Sequence, residues 1–415
     1  MASTPISTAA KATSRNAAAL TVGRAPFQPR QIFDVSPNIP RSFFLGHHHA
    51  GLARMRQTLA TVGLIIECRD FRVPITSWNP LLEQSLAAAS PSERARIIVY
   101  THTDLGPTGS GLGGTPNNNT PSLTELATRH LRDFHLQSKH ATEVLFTGTG
   151  GGTFKSPTSA LLGACKRVAR ERDNLTGLRA LVVGMPNAGK STLLNQLRKR
   201  GMVGTGKAAR TGANPGITRK LSSPVRIVPA EGHDGGADRS LDGVGEGVFV
   251  VDTPGVFIPY VSDPQKMLKL ALVGCVKDGL IPRETLADYL LFRLNLAGSR
   301  DYVRRLGMGA PTNDVKEFLD AVAKRVGKLA KGGGANYDAA AEWVVQEWRG
   351  GGFGRILLDE VTPETLVTAM EEAKESGLSM NQAKKKEKEE RKVKNAAKRA
   401  GNLGAGGDGG GGTAA

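Results

Sequence analysis

The sequence predicts an α/β protein, a three-layer sheet followed by a small α-helical domain. Three observations carry that reading. Short apolar runs alternate with stretches of helical periodicity through residue 258. One run, Leu181-Val182-Val183, opens onto a glycine-rich loop that leads into the helical stretch Leu193-Leu194-Asn195-Gln196-Leu197. Beyond Ile258 the apolar spacing is helical throughout.

The elements follow in chain order. Residues 1–40 carry Lys11, Arg15, Arg24 and Arg30 before the first acid, Asp34, amid Ala, Ser and Thr. That composition fits a mitochondrial transit peptide, with a retained basic arm as the alternative, and it lacks the apolar stretch of a secretion signal. Residues 50–60 put Leu52, Met55 and Leu59 on one helical face. Val62-Gly63-Leu64-Ile65-Ile66 reads as a buried strand ending at Glu67, residues 81–89 as a helix, and Arg96-Ile97-Ile98-Val99-Tyr100 as the next strand. Residues 106–121, rich in Gly, Pro and Asn, read as an insertion. Glu143-Val144-Leu145-Phe146 is strand-like, and residues 157–171 fit a helix with Leu161, Leu162, Cys165 and Val168 as its stripe. A second insertion, residues 230–246, precedes the strand Gly247-Val248-Phe249-Val250-Val251-Asp252. The sets Leu268/Ala271/Leu272/Cys275, Leu286/Tyr289/Leu290/Leu291, Val315/Phe318/Leu319/Val322 and Trp343/Val344/Trp348 then predict helices. The expected organisation is a leader over 1–40, the sheet domain over 41–258, the helical domain over 259–375, and a basic then Gly-rich tail over 376–415.

The loop Gly184-Met185-Pro186-Asn187-Ala188-Gly189-Lys190-Ser191-Thr192 has the G-x-x-x-x-G-K-[ST] spacing between a strand and a helix. Its glycines let N–H groups curl around phosphate oxygens, and the helix N-terminus adds positive potential. Asn187, Ala188, Gly189, Lys190, Ser191 and Thr192 are therefore candidate nucleotide-binding residues. Lys190 is placed to reach the β- and γ-phosphates, and Ser191 to ligate Mg²⁺. Asp252 ends a strand and is followed by Thr253-Pro254-Gly255, so the carboxylate can hold Mg²⁺ and the Gly255 N–H can sense the γ-phosphate. Between the two lies Pro215-Gly216-Ile217-Thr218-Arg219, which makes Thr218 the candidate switch threonine and a further Mg²⁺ ligand. Together these motifs resemble the GTPase branch of the phosphate-loop proteins.

Guanine recognition needs a reader of its own. No N-K-x-D tetrad follows Gly255, but Thr101-His102-Thr103-Asp104-Leu105 follows an upstream strand and matches N-K-x-D-L with two substitutions. Asp104 can accept from the guanine N1 and N2 groups, which adenine does not offer. Thr147-Gly148-Thr149-Gly150 follows the next strand, placed like the loop at the guanine O6. The order is base motif, O6 loop, phosphate loop, switch threonine, DTPG, which is a circular permutation of the usual GTPase.

The segment Asp70-Phe71-Arg72-Val73-Pro74-Ile75-Thr76-Ser77-Trp78-Asn79-Pro80 resembles the D-A-R-x-P-x-S-x-R-N-P signature of the circularly permuted ribosome-assembly GTPases, in the YlqF-like branch. Phe44-Leu45-Gly46-His47 is similar to the F-P-G-H box of that branch. Gly332-Gly333-Gly334-Ala335-Asn336-Tyr337-Asp338 and Phe353-Gly354-Arg355 are similar to its C-terminal elements, so the likeness spans about residues 41–358. The resemblance implies slow GTP hydrolysis with Mg²⁺, stimulated by the ribosome. It places His47 as the water-positioning group, because Val256 stands where many GTPases carry a glutamine; the run His47-His48-His49 leaves the register open. Asn187 is similar to the asparagine that coordinates K⁺ in potassium-dependent GTPases. The implied partners are GTP and GDP, the mitochondrial large ribosomal subunit precursor and its rRNA. Thr101 and His102 depart from the family pattern, and Asn336 reads equally well as a plain helix cap.

Charge and cysteines agree with these expectations. The 415 residues carry 55 Lys+Arg against 38 Asp+Glu, a formal +17, which favours a polyanion such as RNA. No run approaches the roughly 18 apolar residues of a membrane span. Cys68, Cys165 and Cys275 have no paired spacing and read as reduced thiols. The expected protein is a monomer of the mitochondrial matrix, with peripheral contact on the matrix face of the inner membrane left open. Two function classes follow: a hydrolysing GTPase switch, or an RNA-binding assembly scaffold whose nucleotide site is structural and weakly hydrolysing.

Overall fold

The computed structural model describes residues 27–43, 46–87, 94–108, 121–148, 157–172, 176–202, 206, 208–209, 221–232, 242–258, 260–261, 263–375, 385 and 389, with backbone alone at 46–50, 157 and 374–375. Most of the leader, most of both insertions, the segment holding Thr218 and nearly all of the tail lie outside them.

Helix α1 (Gly46–Leu59) precedes β1 (Leu64–Asp70), α2 (Pro80–Ala87), β2 (Ala95–Thr101), α3 (Leu123–Gln137), β3 (Glu143–Phe146), α4 (Pro157–Arg172), β4 (Leu178–Gly184), α5 (Lys190–Gly201), β5 (Val225–Val228) and β6 (Val248–Asp252). The six strands form one sheet in the order β3-β2-β1-β4-β6-β5. All pairings are parallel except β5 on β6. Parallel strands are buried on both faces, and the alternation in β1 follows that rule. Leu64, Ile66 and Cys68 join the core cluster that contains Leu161 and Leu162 of α4 and Leu193 and Leu194 of α5. Ile65 joins the opposite cluster with Leu52, Met55 and Leu59 of α1 and Leu82 of α2. The three-layer α/β sheet is therefore as expected.

Helices α6 (Pro264–Leu272), α7 (Arg283–Leu296), α8 (Asp301–Leu306), α9 (Val315–Val326), α10 (Tyr337–Arg349) and α11 (Pro363–Glu375) follow the last strand. Leu270, Leu290, Val344 and Trp348 belong to the same cluster as Val182 of β4, so these helices share an apolar core with the sheet. Asn336 accepts from the Ala339 N–H at 3.1 Å as the N-cap of α10. Burial pushes the thiols of Cys68, Cys165 and Cys275 up to about 12, and all three are free.

Helices α8 and α11 lie outside the apolar sets read in the sequence, and four further elements differ from that reading. Strand β1 runs three residues past Glu67, because Glu67 and Arg69 are buried in a charge network. Arg69 Nε donates to Glu67 at 2.6 Å, Arg96 Nε donates to Glu67 at 3.0 Å, and Glu83 of α2 accepts from Arg69 at 3.1 Å and from the Trp78 indole at 2.7 Å. Helix α3 goes unread in the sequence, although Ser122 and Glu125 form a full capping box at its start. The antiparallel edge strand β5 is four residues long, too short for a periodic signal. Helix α6 stops at Leu272, so Cys275 belongs to a turn in which Gly274 takes φ 80° and the Cys275 N–H reaches Leu270 O at 2.9 Å.

Candidate nucleotide site

Every parallel strand that carries a motif ends at the same edge of the sheet. Strand β4 delivers the phosphate loop. Gly184 takes φ 139°, and a Cβ there would sit 2.3 Å from Cys68 O, so only glycine fits between β4 and β1. Gly189 (φ 80°) and Asn187 (φ 56°) complete the left-handed bends that turn the chain into α5.

Lys190 and Ser191 open α5, with Thr192 exposed behind them. Lys190 is buried, and its Nζ donates to Met185 O at 2.7 Å. Burial lowers the Lys190 pKa, opposed by the attraction of Asp252. Ser191 Oγ donates to Asp252 Oδ2 at 2.6 Å, because Asp252 at the end of β6 pairs in register with Val182 of β4. Two hard oxygen donors thus stand together, a set that suits Mg²⁺ when phosphate oxygens and water supply the rest. Among the described residues, no group of three or more His, Cys, Asp or Glu side chains could hold an ion unaided.

The DTPG segment folds back on the loop. Thr253 Oγ1 donates to Val182 O at 2.7 Å, and a Cβ on Gly255 would lie 2.6 Å from Pro186. Val256 is buried with Leu52, Met55 and Leu59, so α1 covers the place where many GTPases hold a glutamine. Gly51 of α1 abuts Pro254, its Cβ position 3.5 Å from the proline Cβ. His47 lies one turn before Gly51 on the same helical face; its side chain lies outside the described residues. Thr218 lies outside them entirely.

The base motif meets the phosphate loop directly. Strand β1 lies between β2 and β4, so the ends of all three converge. Thr101 Oγ1 donates across this junction, 3.1 Å from Ala188 O and 3.2 Å from Arg69 O. A hydroxyl has one proton, so His102 Nδ1, 3.0 Å away, donates to Thr101 Oγ1. His102 adopts φ 58°, its Nδ1 lies 3.4 Å from Asp70, and burial lowers its pKa against the pull of that carboxylate. The O6 loop closes the other side. The Thr103 N–H donates to Thr147 O at 3.0 Å, and a Cβ on Gly148 would lie 2.8 Å from Asp104 Cβ. The described candidates Thr101, His102, Thr103, Asp104, Thr147, Gly148 and residues 187–192 therefore gather at one edge of the sheet, with Asp252 and Gly255 beside the loop that opens α5.

Two features of the site escaped the sequence reading, although their residues stand in its quoted signature. Asn79 Nδ2 donates to Val256 O at 2.7 Å while Asn79 Oδ1 accepts from the Leu81 N–H at 3.0 Å, so one amide ties the DTPG segment to the start of α2. Asn79→Ala is expected to cost about 2 kcal/mol, since it strands a buried carbonyl and removes a cap; the denaturant midpoint reads it. A loss below about 0.5 kcal/mol would remove this role. Asp70, buried at the end of β1, accepts from Arg72 N, Nε and Nη2 at 2.9, 3.0 and 2.7 Å. Burial raises the Asp70 pKa and the Arg72 guanidinium more than offsets it, leaving the carboxyl below its usual range.

The proteins similar to this chain are named as GTPases. The family model described as a 50S ribosome-binding GTPase matches residues 179–302. "Mitochondrial GTPase 1" of Schizosaccharomyces japonicus is 34% identical over 336 residues, covering 78% of this chain and 91% of its own length. "Mitochondrial ribosome-associated GTPase 1" of Mus musculus is 31% identical over 343 residues, covering 80% of this chain and 93% of its own. Among solved structures, GNP-bound YlqF from T. maritima matches at 20% identity and a TM-score of 0.42, over 74% of this chain and 97% of that one.

Proposed function

The chain belongs to the mitochondrial GTPase 1 family and is a GTPase, and from that premise we propose that it is a switch that binds the mitochondrial large ribosomal subunit precursor and assists its assembly. The observation that carries the reading is the Thr101–Ala188 contact, which closes one guanosine phosphate site from two segments 87 residues apart. Relatives named as mitochondrial ribosome-associated GTPases support the ribosomal partner, and the formal +17 charge supports contact through rRNA. The protein acts as a monomer in the matrix after removal of a leader within residues 1–40. No helix among the described residues is long and apolar enough to cross a membrane. The GTPase unit spans residues 41–258, the helical unit 259–375 and the basic then Gly-rich tail 376–415.

Each side chain then has a task. The loop N–H groups and Lys190 hold the phosphates, with the ammonium leaving Met185 O to do so. Ser191 and Asp252 would hold Mg²⁺, with Thr218 as the further ligand, and the ion would supply neutralisation of phosphate charge when bound. The Gly255 N–H senses the γ-phosphate. His47 orients the attacking water from α1, since Val256 is apolar and buried. Asn187 would hold K⁺ through its side-chain oxygen, and equal GTPase rates in Na⁺ and K⁺ would remove that role. Asp104 reads the base. Asp104→Asn is expected to weaken GDP binding at least about 100-fold and to favour xanthosine diphosphate, because the amide offers N–H to the xanthine O2. Unchanged GDP affinity would contradict it.

Hydrolysis measured over many turnovers, with and without mitochondrial large subunits, tests the function. A rise of at least about tenfold is expected. The scaffold reading is favoured by one observation: Thr101 spends its hydroxyl on Ala188 O and Arg69 O, so that hydroxyl does not stand in for the missing asparagine amide. Unstimulated turnover with intact subunit binding would establish that reading instead.

A further inference from the structure

The helical segment grips the nucleotide site at two points, and one residue serves both. Arg349 ends α10 and is far in sequence from either motif. Its Nη2 and Nε donate to Ala271 O and Leu272 O, both at 2.8 Å, at the end of α6. Asp278 completes the guanidinium's shell at 2.8 Å. The carbonyls so held lead into the turn at Gly274, whose own carbonyl accepts from Asn187 Nδ2 at 2.7 Å. A Cβ on Gly274 would lie 3.4 Å from both Arg349 Cζ and Asn187 Nδ2, so both side chains pack beside this turn. The backbone of Arg349 reaches the base side: its carbonyl lies 3.4 Å from Arg72 Nη1, and the Trp348 ring covers the Arg72 guanidinium at 5.4 Å. Arg72 in turn holds Asp70 beside His102.

We infer that Arg349 is a positioning residue for the phosphate loop, setting the Gly274 turn that orients the Asn187 amide. An amide is planar, so fixing Nδ2 on Gly274 O also fixes the direction of Oδ1, the only oxygen this side chain can offer a cation. Arginine suits the task because its rigid planar fork holds two adjacent carbonyls in fixed directions, whereas a lysine ammonium is a point charge on a flexible stem. The inference rests on the nucleotide-site reading above and adds a residue that touches neither nucleotide nor ion.

The test is a double-mutant cycle on the full chain with Arg349→Lys and Asn187→Ala. Its readouts are kcat and KM for GTP in K⁺ and in Na⁺, and the dissociation rate of a fluorescent GDP. Each single variant is expected to lower kcat in K⁺ by about tenfold with KM within about twofold, and to narrow the difference between K⁺ and Na⁺. The double variant should fall no further than Asn187→Ala, and the dissociation rates should show the same non-additivity. Multiplying effects, or an unchanged kcat in Arg349→Lys, would overturn the assignment. Asp278→Asn loosens the same guanidinium with less risk to folding. It should lower kcat about two- to threefold in the parent and not in the Asn187→Ala background; an equal fall in both also overturns it. Failure of the parent chain to hydrolyse GTP would overturn both this inference and the function it rests on, whereas turnover with additive effects sinks the positioning role alone.

Discussion

Lys190→Ala is expected to lower single-turnover GTP hydrolysis by at least about 10³-fold, because the ammonium stabilises charge that grows on the phosphates in the transition state. The structure supports so large an effect. Lys190 is buried, burial depresses its pKa, and among the described residues its ammonium donates to the neutral carbonyl of Met185. That carbonyl is a weaker partner than a phosphate oxygen, so the charge is available to the nucleotide. Thermal unfolding of the variant without nucleotide should stay within a few degrees of the parent, since removing Lys190 breaks one bond and relieves a desolvated charge. Hydrolysis within about tenfold of the parent would remove Lys190 from the mechanism. Loss of hydrolysis with ribosome-assembly activity retained would establish the scaffold reading.

Glu67→Gln is expected to destabilise the fold by about 3–5 kcal/mol, the usual result of breaking a buried ion pair on one side. Arg69 and Arg96 both rely on this carboxylate, and the substitution leaves them Glu83 as their remaining acidic partner among the described residues. Burial alone would raise the Glu67 pKa, yet the two guanidinium groups bring it from 4.5 to about 2. The sign follows from linkage. A carboxyl whose folded value lies below its unfolded value contributes its stability fully above about 4.5 and loses it as pH falls toward about 2. Denaturant titrations between those limits should therefore show a shallower acid limb in Glu67→Gln than in the parent. An equal slope in both proteins would mean that Glu67 is not held ionised by its partners. Because β1 carries Asp70 at its end, loosening this network should also be felt in nucleotide affinity.

The phosphate loop, the Asp252 strand end, the shifted base motif and most helices could be read from residues alone, because each depends on the local chain. Glycine at 184 and 189 is demanded by backbone angles that other residues rarely adopt. Helical spacing at Leu161, Leu162, Cys165 and Val168 reports a buried face without any knowledge of its partner. That the Thr101 strand end and the 184–192 loop would share one edge was legible too, since the C-terminal ends of parallel strands lie together. Other features had no such local signature. Strand β5 is held by its register on β6, and Glu67 and Arg69 look like a strand's polar end until their partners are in view.

The sequence by itself determined the fold class, the nucleotide chemistry and the order of the motifs, because a glycine or a strand-terminal acid constrains its own few neighbours. Only the tertiary structure decided that Asn79 would fasten the DTPG segment, that Thr101 would spend its hydroxyl on the phosphate loop, and that Arg349 would reach from α10 to the turn beside Asn187. Those bonds join residues up to 177 positions apart in a single hydrogen bond. Their geometry comes from how helices and sheet pack around a shared apolar core, and no spacing within one segment encodes that packing.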